Sequence, residues 1–279
     1  MNTHRVNRLA IVVLVAAFAA APFSARAQTA EEKPFVGFTT TNVQWLYGWN
    51  FADRLTGNSA ENGQAMTITL NNFTEWKYGD SFFFADFVSG KLWDFLQTPG
   101  TVANNAFVYA EWHPRVFVNR LLGQKGPTLG FIRNYGVAFE VNQGPGFQAW
   151  MAGAGMDLEL PGYLIVGANF YWRYSQIGAG SFAQYQNTWQ FSPFWTLPFS
   201  LGPVPFVFAG FLDMFGAPGG YLDVMTQPQL LVDLLPLAGG KPGTLLAGCE
   251  WYLHAYQDPI TSTYEVISAP QVMVQWTIH

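Results

Sequence analysis

Charge is scarce in this sequence: Asp, Glu, Lys and Arg make up 11% of its 279 residues, against about 25% in an average soluble domain. Aromatics reach 17% and apolar residues 50%. A disordered chain, which combines high charge with few aromatics, is therefore excluded. The same shortage excludes a coiled coil, which is built from Ala, Glu, Lys, Leu and Arg. No basic cluster stands out and the net charge is −5, so nucleic acid is not an expected partner. Cysteine occurs once, at Cys249. No intramolecular disulfide can form, and the residue reads as a free buried thiol. Beyond the first 27 residues, histidine is limited to His113, His254 and His279, without metal-ligand spacing or a hydrolase serine motif. A phosphate-cradling glycine motif is also missing. Neither an enzyme nor a cofactor is expected.

Long apolar runs are few. Residues 1–27 read as a secretory signal peptide: Arg5 and Arg8 precede the apolar run Leu9 to Ala21, and Ala25-Arg26-Ala27 ends it with small residues before Gln28. The run is short for a spanning helix, which needs about 20 residues. Cleavage near Ala27 leaves one domain, 28–279, with ten basic and eighteen acidic residues and a net charge of −8. Within it, Phe194 to Leu212 lacks charge but contains Pro198, Gly202, Pro203 and Pro205. Each interior proline costs a helix about 3 kcal/mol, so Leu201-Gly202-Pro203 reads as a turn between two strands.

What is present is alternation with period two. Val272, Val274, Trp276 and Ile278 share one face, while Gln271, Gln275, Thr277 and His279, with Met273, share the other. Similar patterns recur around residues 68, 110, 170 and 188. Turn signals such as Tyr78-Gly79-Asp80, Gly144-Pro145-Gly146, Pro161-Gly162 and Lys241-Pro242-Gly243 separate them. About twelve strands follow, over 35–50, 64–76, 80–89, 105–118, 128–142, 147–160, 162–176, 182–197, 203–214, 221–235, 243–257 and 264–279. Alternation alone fits a soluble sandwich or an inside-out barrel. Strand lengths of 10 or more residues suit a tilted crossing of a bilayer. Trp45, Trp112, Trp172, Trp189, Trp251 and Trp276 sit on the apolar faces, where they are candidates for interfacial girdles. The expected fold is all-β: a transmembrane antiparallel up-and-down β-barrel of about 12 strands, closed because lipid cannot satisfy a free strand edge.

The stretch Phe73-Thr74-Glu75-Trp76-Lys77-Tyr78-Gly79-Asp80-Ser81-Phe82-Phe83-Phe84-Ala85-Asp86-Phe87 resembles the signature of the nucleoside-specific channel-forming (Tsx-like) outer-membrane family. Tyr109-Ala110-Glu111-Trp112-His113-Pro114-Arg115 resembles its acidic-aromatic-Pro-Arg strand. Gly153 to Gly162, followed by Asn169-Phe170-Tyr171-Trp172-Arg173, resembles its central hairpin. The resemblance implies a monomeric twelve-stranded barrel in the outer membrane of a Gram-negative envelope, inserted by the barrel-assembly machinery and surrounded by outer-membrane lipid. It implies passive uptake of nucleosides and deoxynucleosides without a cofactor. The chain departs from the family in ending on His279 rather than an aromatic.

A nucleoside channel needs aromatic faces for the base, worth about 1–3 kcal/mol per stacked base, and polar groups for the ribose hydroxyls. Strand parity supplies four lumen sets: Glu75, Asp80, Phe82, Phe84 and Asp86; Tyr109, Glu111, His113 and Arg115; Tyr171 and Arg173; Glu250, Tyr252 and His254. Lumen charges in narrow barrels also pair with one another simply to satisfy burial. At least one of Phe82, Phe83 and Phe84 must face lipid, and Asp80 could instead belong to the turn. Arg133 and Glu140 fall on opposite parities of one strand, which calls for a bulge near Gly136 or a strand end at the interface. A structural or adhesin-type barrel without transport, or a small general-diffusion pore, remain alternatives to the selective channel.

Overall fold

The computed structural model describes residues 35–51, 63–89, 106–124, 130–177, 183–217, 220–257 and 263–278. The expected signal segment and cleavage point, and His279, lie outside the described residues. The chain forms strands β1 (Val36–Gly48), β2 (Ala65–Trp76), β3 (Gly79–Ser89), β4 (Ala106–Phe117), β5 (Ile132–Gly144), β6 (Phe147–Leu158), β7 (Ile165–Ile177), β8 (Gln184–Leu201), β9 (Val204–Ala217), β10 (Tyr221–Thr226), β11 (Gln229–Asp233), β12 (Leu245–Gln257) and β13 (Tyr264–Ile278). Every pairing is antiparallel, each strand beside its neighbour in sequence except β10 and β11, which both pair with β9 and β12, and β13 closes the sheet on β1.

Thirteen elements occupy twelve positions. β10 and β11 lie end to end between β9 and β12 in one unbroken register, Thr226 opposite Leu253 and Gln229 opposite Glu250. Pro228 has no N–H to give the ladder, yet its carbonyl still accepts from the Trp251 N–H at 3.0 Å. The result is a closed twelve-position antiparallel barrel with no free edge. The expected Phe194–Leu212 hairpin is β8 and β9, turning at Gly202 and Pro203, where Gly202 takes φ 60°. No described helix is long and apolar enough to cross a membrane.

Parity sorts the side chains cleanly. Each of the eleven carboxylates carried by the strands lies on the inward face. The outward face is apolar: Val266, Trp276, Trp172 and Phe170 are 56–61% exposed. A soluble barrel would bury those groups and expose the acids; this one does the reverse. Small apolar clusters, such as Leu46, Leu231, Leu246 and Met273, fill part of the interior between polar groups.

Three expectations are corrected. Cys249 is exposed on the outer wall instead of buried, because it is one residue out of phase with inward Glu250. The bulge that reconciles Arg133 with Glu140 lies at Arg133 itself, between the pairs Ile132–Leu158 and Asn134–Asp157, not near Gly136. All six tryptophans point outward, but Trp112 and Trp251 are mid-strand, so they are spread over the wall instead of confined to two girdles. Two features had no expectation: a one-turn helix, α1 (Val118–Leu121), ahead of β5, and a 3₁₀ turn, Leu235–Ala238, ahead of β12.

Candidate functional site

The β3–β4 ladder sets the site. Its register places Asp80 opposite Arg115, Phe82 opposite His113, Phe84 opposite Glu111 and Asp86 opposite Tyr109, all inward. Phe83 takes the outward side, opposite Trp112. Asp80 belongs to the strand, not the turn, and is buried.

Arg115 anchors one end. Its Nε and Nη2 donate to the two oxygens of Asp80 at 2.8 and 2.6 Å, and its Nη1 lies 2.8 Å from Asp157. Asn134 donates to the other oxygen of Asp157 at 2.7 Å. The guanidinium also lies over the rings of Phe117 and Phe194, 5.0 and 4.9 Å from their centroids. β4 reaches β8 in this way because the strands between present small residues inward. A Cβ on Gly155 would lie 2.6 Å from Asn169 Oδ1, 3.1 Å from Ala138 Cβ and 3.5 Å from Arg115 Cδ. Gly167 similarly leaves room for the Phe194 ring. This floor of Ala138, Gly155 and Gly167 lets a long side chain lie flat across three strands.

One step along β4, His113 stands between two carboxylates. Its Nε2 is 2.8 Å from Glu111 and its Nδ1 is 3.2 Å from Glu140. The Tyr109 hydroxyl donates to Glu111, and Gln190 reaches Glu140 at 3.4 Å from β8. Glu111, His113 and Glu140 are the one group among the described residues with three potential metal donors close together. Both ring nitrogens of His113 are already engaged by carboxylates, which accounts for the geometry without an ion.

Arg173 differs from Arg115. It is 4% exposed, its Nη1 donates to Ser175 at 3.2 Å, and it lies 4.2 Å from the Phe215 ring centroid. Among the described residues it forms no ion pair. Tyr171, on the same face, is fully buried among Ala138, Ala149 and Met151.

Across the lumen, Glu250 accepts from Gln229 and Gln271, both at 2.7 Å. Asp86 accepts from the Thr69 hydroxyl. His254 Nε2 lies 2.7 Å from Asp223, with the Tyr252 ring 6.2 Å from its own. Glu75 shares the inward parity but stands apart at the rim, where its half-exposed carboxylate meets Arg120 of α1 at 2.8 Å. The other thirteen expected lumen residues line the wall in the groups just described.

Accessibility separates them. Most of the polar residues are under 10% exposed, spent on one another. Among the expected lumen residues Phe82 differs: it faces inward yet is 37% exposed, with Phe84 6.0 Å and His113 5.7 Å away between ring centroids, while Phe38, of the same inward parity, is 53% exposed at the start of β1. Phe82 is the reachable aromatic surface of this part of the wall.

Several partners were not singled out from sequence. Glu140 was masked by the bulge that sets its parity. Asp157 lies within a recognised block, but only the β5–β6–β7 register brings it to Arg115. Asp213, alone among the apolar residues of Phe211-Leu212-Asp213-Met214-Phe215, carried a usable signal: a single acid in an otherwise lipid-like strand must face inward.

No family model matches this chain, and no curated protein matches it. Among solved structures, it is similar to the outer-membrane protein OpdK of Pseudomonas aeruginosa, determined with vanillate, at 9% identity and a TM-score of 0.30, covering 86% of this chain and 98% of that one. OccK11 (OpdR) of the same organism gives 9% identity and a TM-score of 0.27, covering 86% and 95%. These likenesses are weak, and the closed barrel described above rests on its own strand pairing.

Proposed function

We propose that this protein is an outer-membrane channel that passes small solutes down their gradients, with nucleosides as the substrate class. The observation that carries the reading is the accessible inward face of Phe82, set among Phe84, Phe73 and His113 on a wall whose polar groups are paired with one another. A closed barrel with an apolar, carboxylate-free outside is at home only in lipid. The export signal gives it a route there. Inside, a flat base stacks on Phe82 for about 1–3 kcal/mol. Glu111 and His113, one pair along, are engaged with each other and with Tyr109 and Glu140, so they act on the solute through their field more than through direct hydrogen bonds. Such a station is weak enough to release its solute, as permeation requires. No bond is made or broken, so the machinery consists of a stacking surface and the field of the polar wall around it.

The test is swelling of liposomes that contain the refolded protein, with adenosine and thymidine compared against sugars of similar size. Faster, saturable nucleoside entry supports the reading. Equal entry for all solutes would replace it with a small general pore. No entry through a folded, heat-modifiable barrel would replace it with a structural role.

A further inference from the structure

The sign of the charge inside the barrel is one-sided. Eleven carboxylates face inward from the strands, against Arg115, Arg173, His113 and His254, with Arg133 at the bulge near the start of β5. Arg115 is already shared between two acids, and His113 lies between two more. Asp86, Asp213, Asp233 and Glu250 have no cationic partner among the described residues. The neighbours of three of them are neutral donors: the Thr69 hydroxyl, the Gly243 N–H, and the Gln229 and Gln271 amides.

The excess survives neutralisation of those four acids. With those four acids neutral, both histidines charged and both Arg120 and Arg133 counted in, seven carboxylates still face six cations. With every acid ionised and the histidines neutral, the imbalance is far larger. A lumen rimmed by carboxylates raises the local concentration of cations and lowers that of anions. The accessible ring of Phe82 adds a face that attracts a cation through its quadrupole.

We infer that the channel is selective for charge: it admits small cations with a flat apolar body, tolerates neutral solutes and disfavours anions. This inference rests on the channel reading above. It sets a boundary that reading leaves open, since a nucleoside is neutral whereas its phosphorylated form is an anion.

The experiment is the reversal potential of the full chain in a planar bilayer under a tenfold KCl gradient, paired with liposome swelling in benzylammonium chloride and in sodium benzoate. The expected results are a K⁺ to Cl⁻ permeability ratio of at least about 3 and benzylammonium entry several-fold faster than benzoate. A ratio of one or below, or benzoate entering as fast as benzylammonium, overturns the inference and leaves the channel intact. Absence of conductance from a correctly folded barrel overturns the channel reading, and the inference with it. Glu250→Gln, which keeps the shape of a side chain already held by two amides, separates fold from charge. It should leave the barrel folded and lower the permeability ratio at pH 9, and an unchanged ratio at that pH counts against the inference.

Discussion

Replacing Arg115 with methionine tests the electrostatic account of the wall. The guanidinium makes three contacts of 2.6–2.8 Å with Asp80 and Asp157, which are 5% and 4% exposed. Methionine keeps apolar contact with Phe117 and Phe194 but leaves both acids without a counter-charge. Removing one partner of a buried ion pair costs about 3–5 kcal/mol. With two acids orphaned, Arg115→Met belongs at the upper end of that range. Arg115→Lys keeps the charge but loses the planar fork and the stacking, so it should fall between the variant and the parent. The triple variant Asp80→Asn, Arg115→Met, Asp157→Asn removes the charges together and should recover most of the loss, because the penalty lies in the unpaired charge. The assay is reversible urea unfolding from phospholipid vesicles, followed by the fluorescence of the eleven tryptophans. Arg115→Met within about 1 kcal/mol of the parent would refute the reasoning. A triple variant no more stable than Arg115→Met would show that shape, not charge, holds this wall.

Further outcomes follow from other contacts. Gly155→Val should destabilise by about 1–3 kcal/mol, since its Cβ meets Asn169 Oδ1 at 2.6 Å; an unchanged urea midpoint would mean that the floor of the lumen is looser than described. Phe82→Ala should abolish saturation of nucleoside entry while leaving single-channel conductance near the parent value, because stacking worth about 1–3 kcal/mol is lost while the hydrogen-bonded wall is untouched; saturation that persists would place the station elsewhere. Phe170→Arg, mid-strand and 56% exposed on the outer wall, should cost about 2–4 kcal/mol in vesicles, and a neutral result would argue that this face does not meet lipid. Cys249, on the same wall, should react in vesicles with a lipid-soluble maleimide and not with a membrane-impermeant one; rapid labelling by the impermeant reagent would place it in water.

The strand rhythm was open to reading because it is local. Val272, Val274, Trp276 and Ile278 alternate with Gln271, Gln275 and Thr277 whatever lies beside them, and they do so in β13. The twelve strand intervals likewise correspond to the twelve barrel positions, with 221–235 broken at Gln227 and Pro228 into β10 and β11. Parity within a strand placed Phe82 and Arg115 inward for the same reason. What local pattern could not supply was register across strands. Asp157 lies 42 positions from Arg115 along the chain, and their contact depends on β4 and β6 each pairing with β5 in one alignment. Glu140 needed the bulge at Arg133, which has no strong sequence signature. Cys249 illustrates a different limit. Its burial was inferred from residue type, whereas a thiol in lipid needs no protein cover, so its exposure follows from phase alone.

These two kinds of information meet in the lumen. Lipid forbids carboxylates on the outer wall, so alternation sends all eleven inward. An enclosed acid then needs a donor, and the described strands carry only three arginines, one of them at the β5 bulge, and two histidines. The shortage drives the geometry: Arg115 serves two acids at once, His113 bridges two more, and glutamines, threonine and backbone supply the remainder. Groups engaged so heavily have little capacity left for a passing solute. Phe82, which needs no partner, keeps its face free. Solute recognition on this wall therefore begins at an aromatic surface, with the surrounding carboxylates acting through their field more than through direct bonds.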